Sequence, residues 1–446
     1  MSENTKKYYI ITYGCQMNEH DSEKIAGMLE EIGYKKCNNI EKADLIFLNT
    51  CTVRENAEDK VFGKVGSLKQ YKKKNPDLII GIGGCMMQTE SAANRIYKKH
   101  PHVDLIIGTH NIHKIPELIK NIEKEDHRVY EVWEEEQGLI PDVPSRREGD
   151  YKAWVSIIRG CNNFCSYCIV PYVRGRERSR SPQDIIKEVK SLIQKEVKEI
   201  TLLGQNVNSY GKDLDLDIDF ADLLQKIDKL DNIERIRYMT SHPRDFDQKL
   251  IETIKNSNNI CEHFHLPVQS GSSRILKKMN RGYTRKQYIN LIKNIRKAIP
   301  EASITTDIIV GFPGETKNDF QDTLNLVKEI QFDMAFTFNY SPREGTPAAD
   351  LEEQVPEEIK NERLQKLMKI QNKISHEKNK ELVGKNLEVL VEGESKNNPD
   401  TYSGRSRTNK LVIIPKNKDL KGKIVSVKIN KVKSWTLYGQ VINQKV

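Results

Sequence analysis

From Trp154 to Ser341 the chain repeats one pattern six times, a short apolar run followed by an amphipathic stretch of helical period. The runs are WVSIIRG (154–160), EITLLGQ (199–205), RIRYMTS (235–241), HFHLPVQ (263–269), SITTDIIVGF (303–312) and FDMAFTFNYS (332–341). Stretches such as DIIKEVKSLIQKE and RKQYINLIKNIRKAI lie between them. Runs that are apolar throughout suit strands covered on both faces, and alternation with helices makes such strands parallel. Six units predict an incomplete parallel barrel, although an open sheet would give the same pattern.

A similar alternation precedes it. YYIITYG (8–14), DLIFLNT (44–50), LIIGIGG (78–84) and VDLIIG (103–108) read as strands, with DSEKIAGMLEEIG and the stretch from Glu55 to Gln70 as helices. The acidic, proline-bearing stretch 131–150 reads as linker. After a charged helix ending near Gly384, LEVLVEG, KLVIIPK, KIVSVKINKV and LYGQVI are short strands separated by Gly, Asn and Asp turns, the pattern of a small all-β barrel. The chain is therefore expected to be α/β, with a parallel sheet domain at 6–124, a linker at 125–146, a partial (β/α)6 barrel at 147–377 and a β-barrel at 380–446. Its length of 446 residues also exceeds what one core supports.

No run of about 18 apolar residues is present, and MSENTKKYYI lacks the apolar core of a signal peptide. A cytoplasmic protein is expected, where thiols stay reduced, so eight cysteines point to metal or redox chemistry before disulfides. The net charge of +9 is concentrated at the end. From Lys380 onward there are fourteen Lys and Arg against six Asp and Glu. That unit suits a polyanion, and a solvated basic surface would look the same on charge alone.

Cys161, Cys165 and Cys168 form a C-x3-C-x2-C after the first barrel strand. Three thiolates on one loop can hold three irons of a [4Fe–4S] cube and leave the fourth open to a small molecule. Structural zinc would need a fourth ligand, which no nearby Cys or His supplies. Cys15, Cys51 and Cys85 each end a predicted strand, in ITYGC, FLNTC and GIGGC. Ligands of a parallel sheet gather at the carboxyl ends of its strands, so these three can meet in a second centre. Buried cysteines packing as small apolar residues would give the same pattern. GIGGC matches a dinucleotide loop poorly, since Met86 stands at the last glycine position.

C-x3-C-x2-C with Tyr167 before the last cysteine resembles the signature of radical S-adenosylmethionine (SAM) enzymes. YGCQMNEHDSEKI, NTCTVRENAEDKVFG, GGCMMQ, SHPRDF, HLPVQSGSSRILKKMNRGYTR, TDIIVGFPGET and FNYSPREGTPA resemble the radical SAM methylthiotransferases, and YSGRSRTNKLV is similar to their TRAM RNA-binding segment. The N-terminal segments look most like the branch acting on N(6)-(dimethylallyl)adenosine in tRNA. The resemblance implies two [4Fe–4S] clusters, an auxiliary one on Cys15, Cys51 and Cys85 and a SAM-binding one on Cys161, Cys165 and Cys168. It implies that one SAM donates a methyl group to a sulfur at the auxiliary cluster. A second SAM, cleaved reductively at the other cluster, gives the 5′-deoxyadenosyl radical that activates carbon 2 of adenine. A tRNA anticodon stem-loop and a low-potential donor such as flavodoxin or ferredoxin are the implied partners, and no side chain is assigned as acid or base. Family members acting on threonylcarbamoyl-adenosine or a ribosomal protein are the nearer alternative, and a non-catalytic RNA-binding module with structural clusters the farther one.

Gly204 and Gln205 follow the second barrel strand, and Gln269 and Ser270 end HLPVQSG. Related enzymes bring such positions close to SAM, and ordinary strand-end turns would use the same residues. Arg174, Arg176, Arg178 and Arg180 alternate, which predicts one basic face for phosphates or for the SAM carboxylate, or else a solvated charge run. Cys37, after a helix and outside the triad, is expected to be a structurally neutral thiol. Cys261, His263 and His265 alternate on one strand, too linear a set to surround a tetrahedral ion.

Overall fold

The computed structural model describes residues 5–52, 57–125, 127–135, 145–147, 149, 151–416 and 419–444. The Glu55 start of the second helical stretch and residues 136–144 of the expected linker lie outside them. The chain forms two compact units. The first comprises residues 1–149, 159–162 and 169–180; the second comprises 150–158, 163–168 and 181–446.

The first unit runs β1 (Lys7–Thr12), α1 (Gln16–Glu31), β2 (Lys35–Lys36), β3 (Leu45–Thr50), α2 (Ala57–Lys74), β4 (Ile79–Gly84), α3 (Glu90–Lys99), β5 (Leu105–Ile107), α4 (Ile115–Glu125) and β6 (Val129–Glu131). Its sheet is parallel throughout, in the order β2-β1-β3-β4-β5-β6. Successive residues of β3 go to opposite faces. Leu45 and Phe47 pack with Ile25 and Leu29 of α1 and Ile119 of α4, while Ile46 and Leu48 pack with Val61 and Val65 of α2 and Ile96 of α3. Two departures from the sequence pattern have physical causes. α1 starts at Gln16, ahead of the apolar periodicity, because its first turns bury polar groups, among them Asn18, His20, Asp21 and Ser22. β6 falls within the stretch read as linker because Val129–Glu131 pair with Leu105–Ile107 at the sheet edge.

The chain continues through β7 (Lys152–Ser156), β8 (Ile158–Arg159), α5 (Val170–Arg174) and β9 (Arg178–Ser179), the last two belonging to the first unit. The second unit then alternates α6 (Pro182–Gln194), β10 (Glu199–Leu203), α7 (Phe220–Asp228), β11 (Arg235–Tyr238), α8 (Gln248–Lys255), β12 (His263–His265), α9 (Ser273–Lys278), α10 (Arg285–Ala298), β13 (Ser303–Val310), α11 (Lys317–Ile330) and β14 (Met334–Asn339). Side chains of Ser181, Asp219, Asp247, Ser272, Thr284 and Thr316 accept from backbone N–H groups of α6 to α11 and so fix where each helix starts. The strands form two parallel sheets, β11-β10-β7 and β12-β13-β14, joined by a bridge between Ile236 and Ile260. That is the expected six-stranded arc. Ile200, Ile236, Phe264, Ile304 and Ile308 face the helices in one core. The opposite faces carry Glu199, Thr201, Arg237, His263, His265, Thr305 and Asp307, so the interior of the arc is polar.

After α12 (Glu357–Lys380), the strands β15 (Asn386–Ser395), β16 (Asn398–Ser406), β17 (Leu411–Pro415), β18 (Ile424–Val432) and β19 (Leu437–Gln444) close into a barrel in the order β15-β16-β17-β19-β18. Its core is Val389, Val391, Val412, Val425, Val427 and Leu437. This small barrel sits on the amino ends of the larger one's strands. Arg235, fully buried, donates to Glu388 and to the Arg405 carbonyl (2.9 Å). Arg237 donates to Glu199 (2.7 Å) and to the carbonyls of Arg407 and Ser406 (2.8 and 2.6 Å). Arg407 pairs with Glu262, and Lys410 with Asp333 (2.9 Å). Part of the basic tail therefore neutralises the larger barrel, contrary to a reading that turns all of its charge outward.

Candidate metal centres

In the first unit, β1, β3 and β4 are adjacent, so Cys15, Cys51 and Cys85 emerge side by side at their carboxyl ends. The packing is close. A Cβ on Gly14 would lie 2.8 Å from Cys51 Cβ, and one on Gly84 would run into the Thr50 backbone. Thr50 Oγ1 donates to the Gly83 carbonyl (2.6 Å), and Asn18 Nδ2 donates to the Thr50 carbonyl (2.8 Å). Cys15 caps α1 and therefore sits at the positive end of a 16-residue helix, which favours a bound anionic group. Gly81 and Gly83 have a packing role that the dinucleotide-loop comparison missed, since Cβ atoms there would press on the Phe47 ring.

Arg174 closes this site. Its Nε donates to Cys85 Sγ (3.1 Å), and its Nη2 pairs with Asp21 (2.8 Å), all three residues being buried. Burial pushes the Cys85 thiol up to about 11, with Arg174 opposing and Cys51 and Cys15 adding to the rise. A metal taken up here must displace that proton. Arg174 thereby leaves the alternating series, so the expectation of one basic face from Arg174 to Arg180 is corrected. Arg174 ends α5 and turns inward, Arg176 is exposed, and Arg178 and Arg180 are half-buried.

On the C-x3-C-x2-C loop, the Cys161 N–H donates to the Gly175 carbonyl (3.1 Å) and the Cys168 N–H to the Cys165 carbonyl (2.9 Å). In the second unit Arg281 Nη1 donates to Cys165 Sγ (3.2 Å). Ser166 is held from both sides, its N–H donating to the Met279 carbonyl and its carbonyl accepting from the Ala348 N–H. The ends of β11, β12 and β13 turn through Thr240, Gln269 and Gly311, with φ of 65°, 70° and 71°. For β-branched Thr240 that is a strained backbone, of the kind held at functional sites.

Among the described residues no three His, Cys, Asp or Glu side chains converge on a point as one ion requires. A cube spreads its thiolates over separate corners, so three cysteines need not converge on one point to hold it. Both sets also present a guanidinium donor to one sulfur, the partner a bound thiolate calls for. Gln205 Oε1 and Gln269 Oε1 are buried acceptors with no hydrogen-bond donor among the described residues, which suits the amino group of a bound SAM. Gly204 and Ser270 have internal uses. A Cβ on Gly204 would strike Ile158, and Ser270 Oγ accepts from the Ser272 N–H (3.2 Å).

Residues 155–327 match the Radical SAM superfamily, 7–108 the Uncharacterized protein family UPF0004, and 380–442 the TRAM domain. The tRNA-2-methylthio-N(6)-dimethylallyladenosine synthase of Natranaerobius thermophilus is 55% identical over 443 residues, covering 99% of this chain and 98% of the relative. The synthases of that name from Desulforamulus reducens and Bacillus subtilis are 56% and 54% identical, over 98% and 99% of this chain and 96% and 87% of theirs. The chain belongs to the tRNA-2-methylthio-N(6)-dimethylallyladenosine synthase family. The fold is shared more widely. The radical SAM methyltransferase TsrM of Kitasatospora setae superposes over 77% of each chain, with TM-score 0.56 and 13% identity.

SAM and one [4Fe–4S] cluster are cofactors of the superfamily to which this synthase family's central region belongs. Sequence reasoning missed Arg281, Asp21 and Thr240. Arg281 lies in the quoted HLPVQSGSSRILKKMNRGYTR segment, but nothing local distinguishes it from a surface arginine. His263 Nε2 and His265 Nδ1 both meet the Thr305 hydroxyl, at 3.0 and 3.1 Å.

Gly160 offers a direct test of the loop. It has φ of 74°, and a Cβ there would overlap the Arg176 carbonyl. Alanine costs about 1–2 kcal/mol from the left-handed backbone alone, and relieving the overlap displaces Cys161. The Gly160→Ala chain is expected to take up less than half the iron at this site on anaerobic reconstitution. Unchanged iron and unchanged unfolding midpoint would contradict the packing argument.

Proposed function

We propose that this protein adds a methylthio group to carbon 2 of N(6)-(dimethylallyl)adenosine next to the anticodon in tRNA. The observation that carries it is 54–56% identity, over nearly the full chain, to synthases named for that product. In this reading Cys161, Cys165 and Cys168 hold the SAM-binding cluster, and Cys15, Cys51 and Cys85 hold an auxiliary one. When bound, the two clusters with SAM supply the radical and the sulfur chemistry. The chain's own residues bind, orient and exclude water. Gln205 and Gln269 face SAM with side-chain acceptors, while Gly204 and Ser270 shape the strand ends beside it.

In this reading 6–124 carries the auxiliary site, 147–377 the SAM site and 380–446 the RNA-binding barrel. On that barrel Lys421, Lys423, Lys428, Lys431 and Lys433 are exposed and suit a phosphate backbone, while the side chains of Arg407 and Lys410 are committed to the larger barrel. An unpaired anticodon loop suits the site because splayed bases can enter a pocket. A low-potential one-electron donor of the flavodoxin or ferredoxin kind supplies electrons in a reducing cytoplasm. No helix among the described residues is long and apolar enough to cross a membrane.

Anaerobic turnover of the reconstituted chain with SAM, dithionite and tRNA carrying dimethylallyl-adenosine tests this directly. The methylthio nucleoside is expected by mass spectrometry. If 5′-deoxyadenosine accumulates and that nucleoside stays unchanged, the substrate assignment fails. The threonylcarbamoyl-adenosine and ribosomal-protein substrates of related enzymes are then assayed in its place.

A further inference from the structure

Both cysteine sets have a buried arginine against one sulfur, but the two arginines differ in what balances their charge. Arg174 has the Asp21 carboxylate at 2.8 Å. Arg281, 5% exposed, has none among the described residues. Its Nη2 donates to the Pro267 carbonyl (2.7 Å), its Nε to Tyr283 Oη (3.1 Å), and its Nη1 to Cys165 Sγ (3.2 Å), with Tyr167 Oη at 3.4 Å. Carbonyls and phenols are neutral at pH 7 and satisfy its hydrogen bonds without balancing its charge. A guanidinium buried without a counter-ion costs several kcal/mol. The only anion these contacts can supply is a ligated thiolate at Cys165.

We infer that Arg281 is the built-in counter-ion of the cluster held by Cys161, Cys165 and Cys168, and a positioning residue that makes this cluster easier to reduce than an arginine-free site would. The inference rests on those cysteines holding the cluster. Reduction adds one negative charge to the cluster. A fixed cation donating to a ligand sulfur stabilises the more negative state, since net charge and hydrogen bonds to the sulfurs set such potentials. At the other set, Asp21 cancels most of that effect, so the two arginines bias their sites unequally.

The test is a potentiometric titration followed by electron paramagnetic resonance on the reconstituted full chain, reading the component of the reduced signal that changes when SAM is added. In Arg281→Gln the reduced-to-oxidised ratio of that component at a fixed ambient potential is expected to fall at least tenfold, which for one electron is about 59 mV. Arg281→Lys keeps the charge and is expected to recover more than half of that shift. The SAM-insensitive component keeps its midpoint in both variants. An unchanged midpoint in an Arg281→Gln chain that has assembled the cluster overturns the inference. If Arg281→Gln does not take up iron, Arg281→Lys decides: uptake there supports the counter-ion role, and failure of both shows that the guanidinium's geometry, not its charge, is required. A wild-type chain with no SAM-sensitive signal would instead overturn the assignment of the cysteines and leave Arg281 out of the matter.

Discussion

An Arg237→Met chain is expected to lose about 1–3 kcal/mol of stability in its second unit, the cost of taking a hydrogen-bond donor away from a buried charge. The charge is Glu199, 1% exposed at the amino end of β10, where Arg237 reaches it at 2.7 Å and Lys152 and Arg235 stand at 3.4 and 3.7 Å. Methionine also removes the Arg237 donor to the Arg407 carbonyl and one of two donors to the Ser406 carbonyl, loosening the small barrel at the same point. Urea unfolding of the full chain measures the loss. A midpoint equal to wild type would mean that water reaches Glu199 and that the packed arrangement is not what holds the two barrels together. Adding Glu199→Gln to Arg237→Met is expected to cost less than the two single changes summed, because the donor and the acceptor it serves are then both gone.

The same cluster predicts how stability depends on pH. Arg237, Lys152 and Arg235 together outweigh burial and hold the Glu199 carboxyl down to about 2, against its ordinary 4.5. The unfolded chain therefore takes up this proton first as pH falls. The stabilisation, on the order of 3 kcal/mol, is fully present above pH 4.5 and is lost as pH drops toward 2. In Glu199→Gln that part of the acid dependence should be missing.

Much of the fold was legible because its signals are local. Each of the six barrel strands is a continuous apolar run bounded by turn residues, and a side chain at the start of each intervening helix gives its cap, as Thr316 does for α11. Cys15, Cys51 and Cys85 could be placed together because a parallel sheet brings the carboxyl ends of its strands to one edge. What was not legible depends on partners distant in sequence. β6 carries only three residues of strand pattern in an acidic stretch, and it becomes a strand by pairing with β5. Arg405 and Arg407 sit in a basic segment that reads as nucleic-acid binding. The Arg407 side chain turns to Glu262, and the carbonyls of both residues accept from Arg235 and Arg237, all more than 140 residues earlier. Arg174 looked like one member of an alternating series, and only the Asp21 carboxylate on α1 shows why it turns inward.

The cysteine sets predict two separable losses. If Cys165 is a ligand of the SAM-binding cluster as proposed, Cys165→Ala removes it, and since even residues behind metal ligands cost 10–100-fold when changed, the loss should exceed about a hundredfold. 5′-Deoxyadenosine and methylthio product should both fall to background. Cys51→Ala acts elsewhere. Cys51, Cys15, Cys85 and Arg174 lie in the first unit, whereas of the other set Cys165 and Cys168, with Arg281, lie in the second and Cys161 in the first. Iron should drop from about eight to about four atoms per chain, since each cube holds four. 5′-Deoxyadenosine formation should stay within about threefold of wild type while the methylthio nucleoside disappears, because sulfur supply is lost and SAM cleavage is not. Alanine fills less space than the buried Cys51 side chain and leaves Gly14 its room, so the sheet should persist, and far-ultraviolet circular dichroism checks that it does. A Cys51→Ala chain that keeps eight irons and still makes product would remove the auxiliary cluster from Cys15, Cys51 and Cys85. The three would then be packing residues at the edge of a sheet, and Arg174 a structural cation held by Asp21 alone.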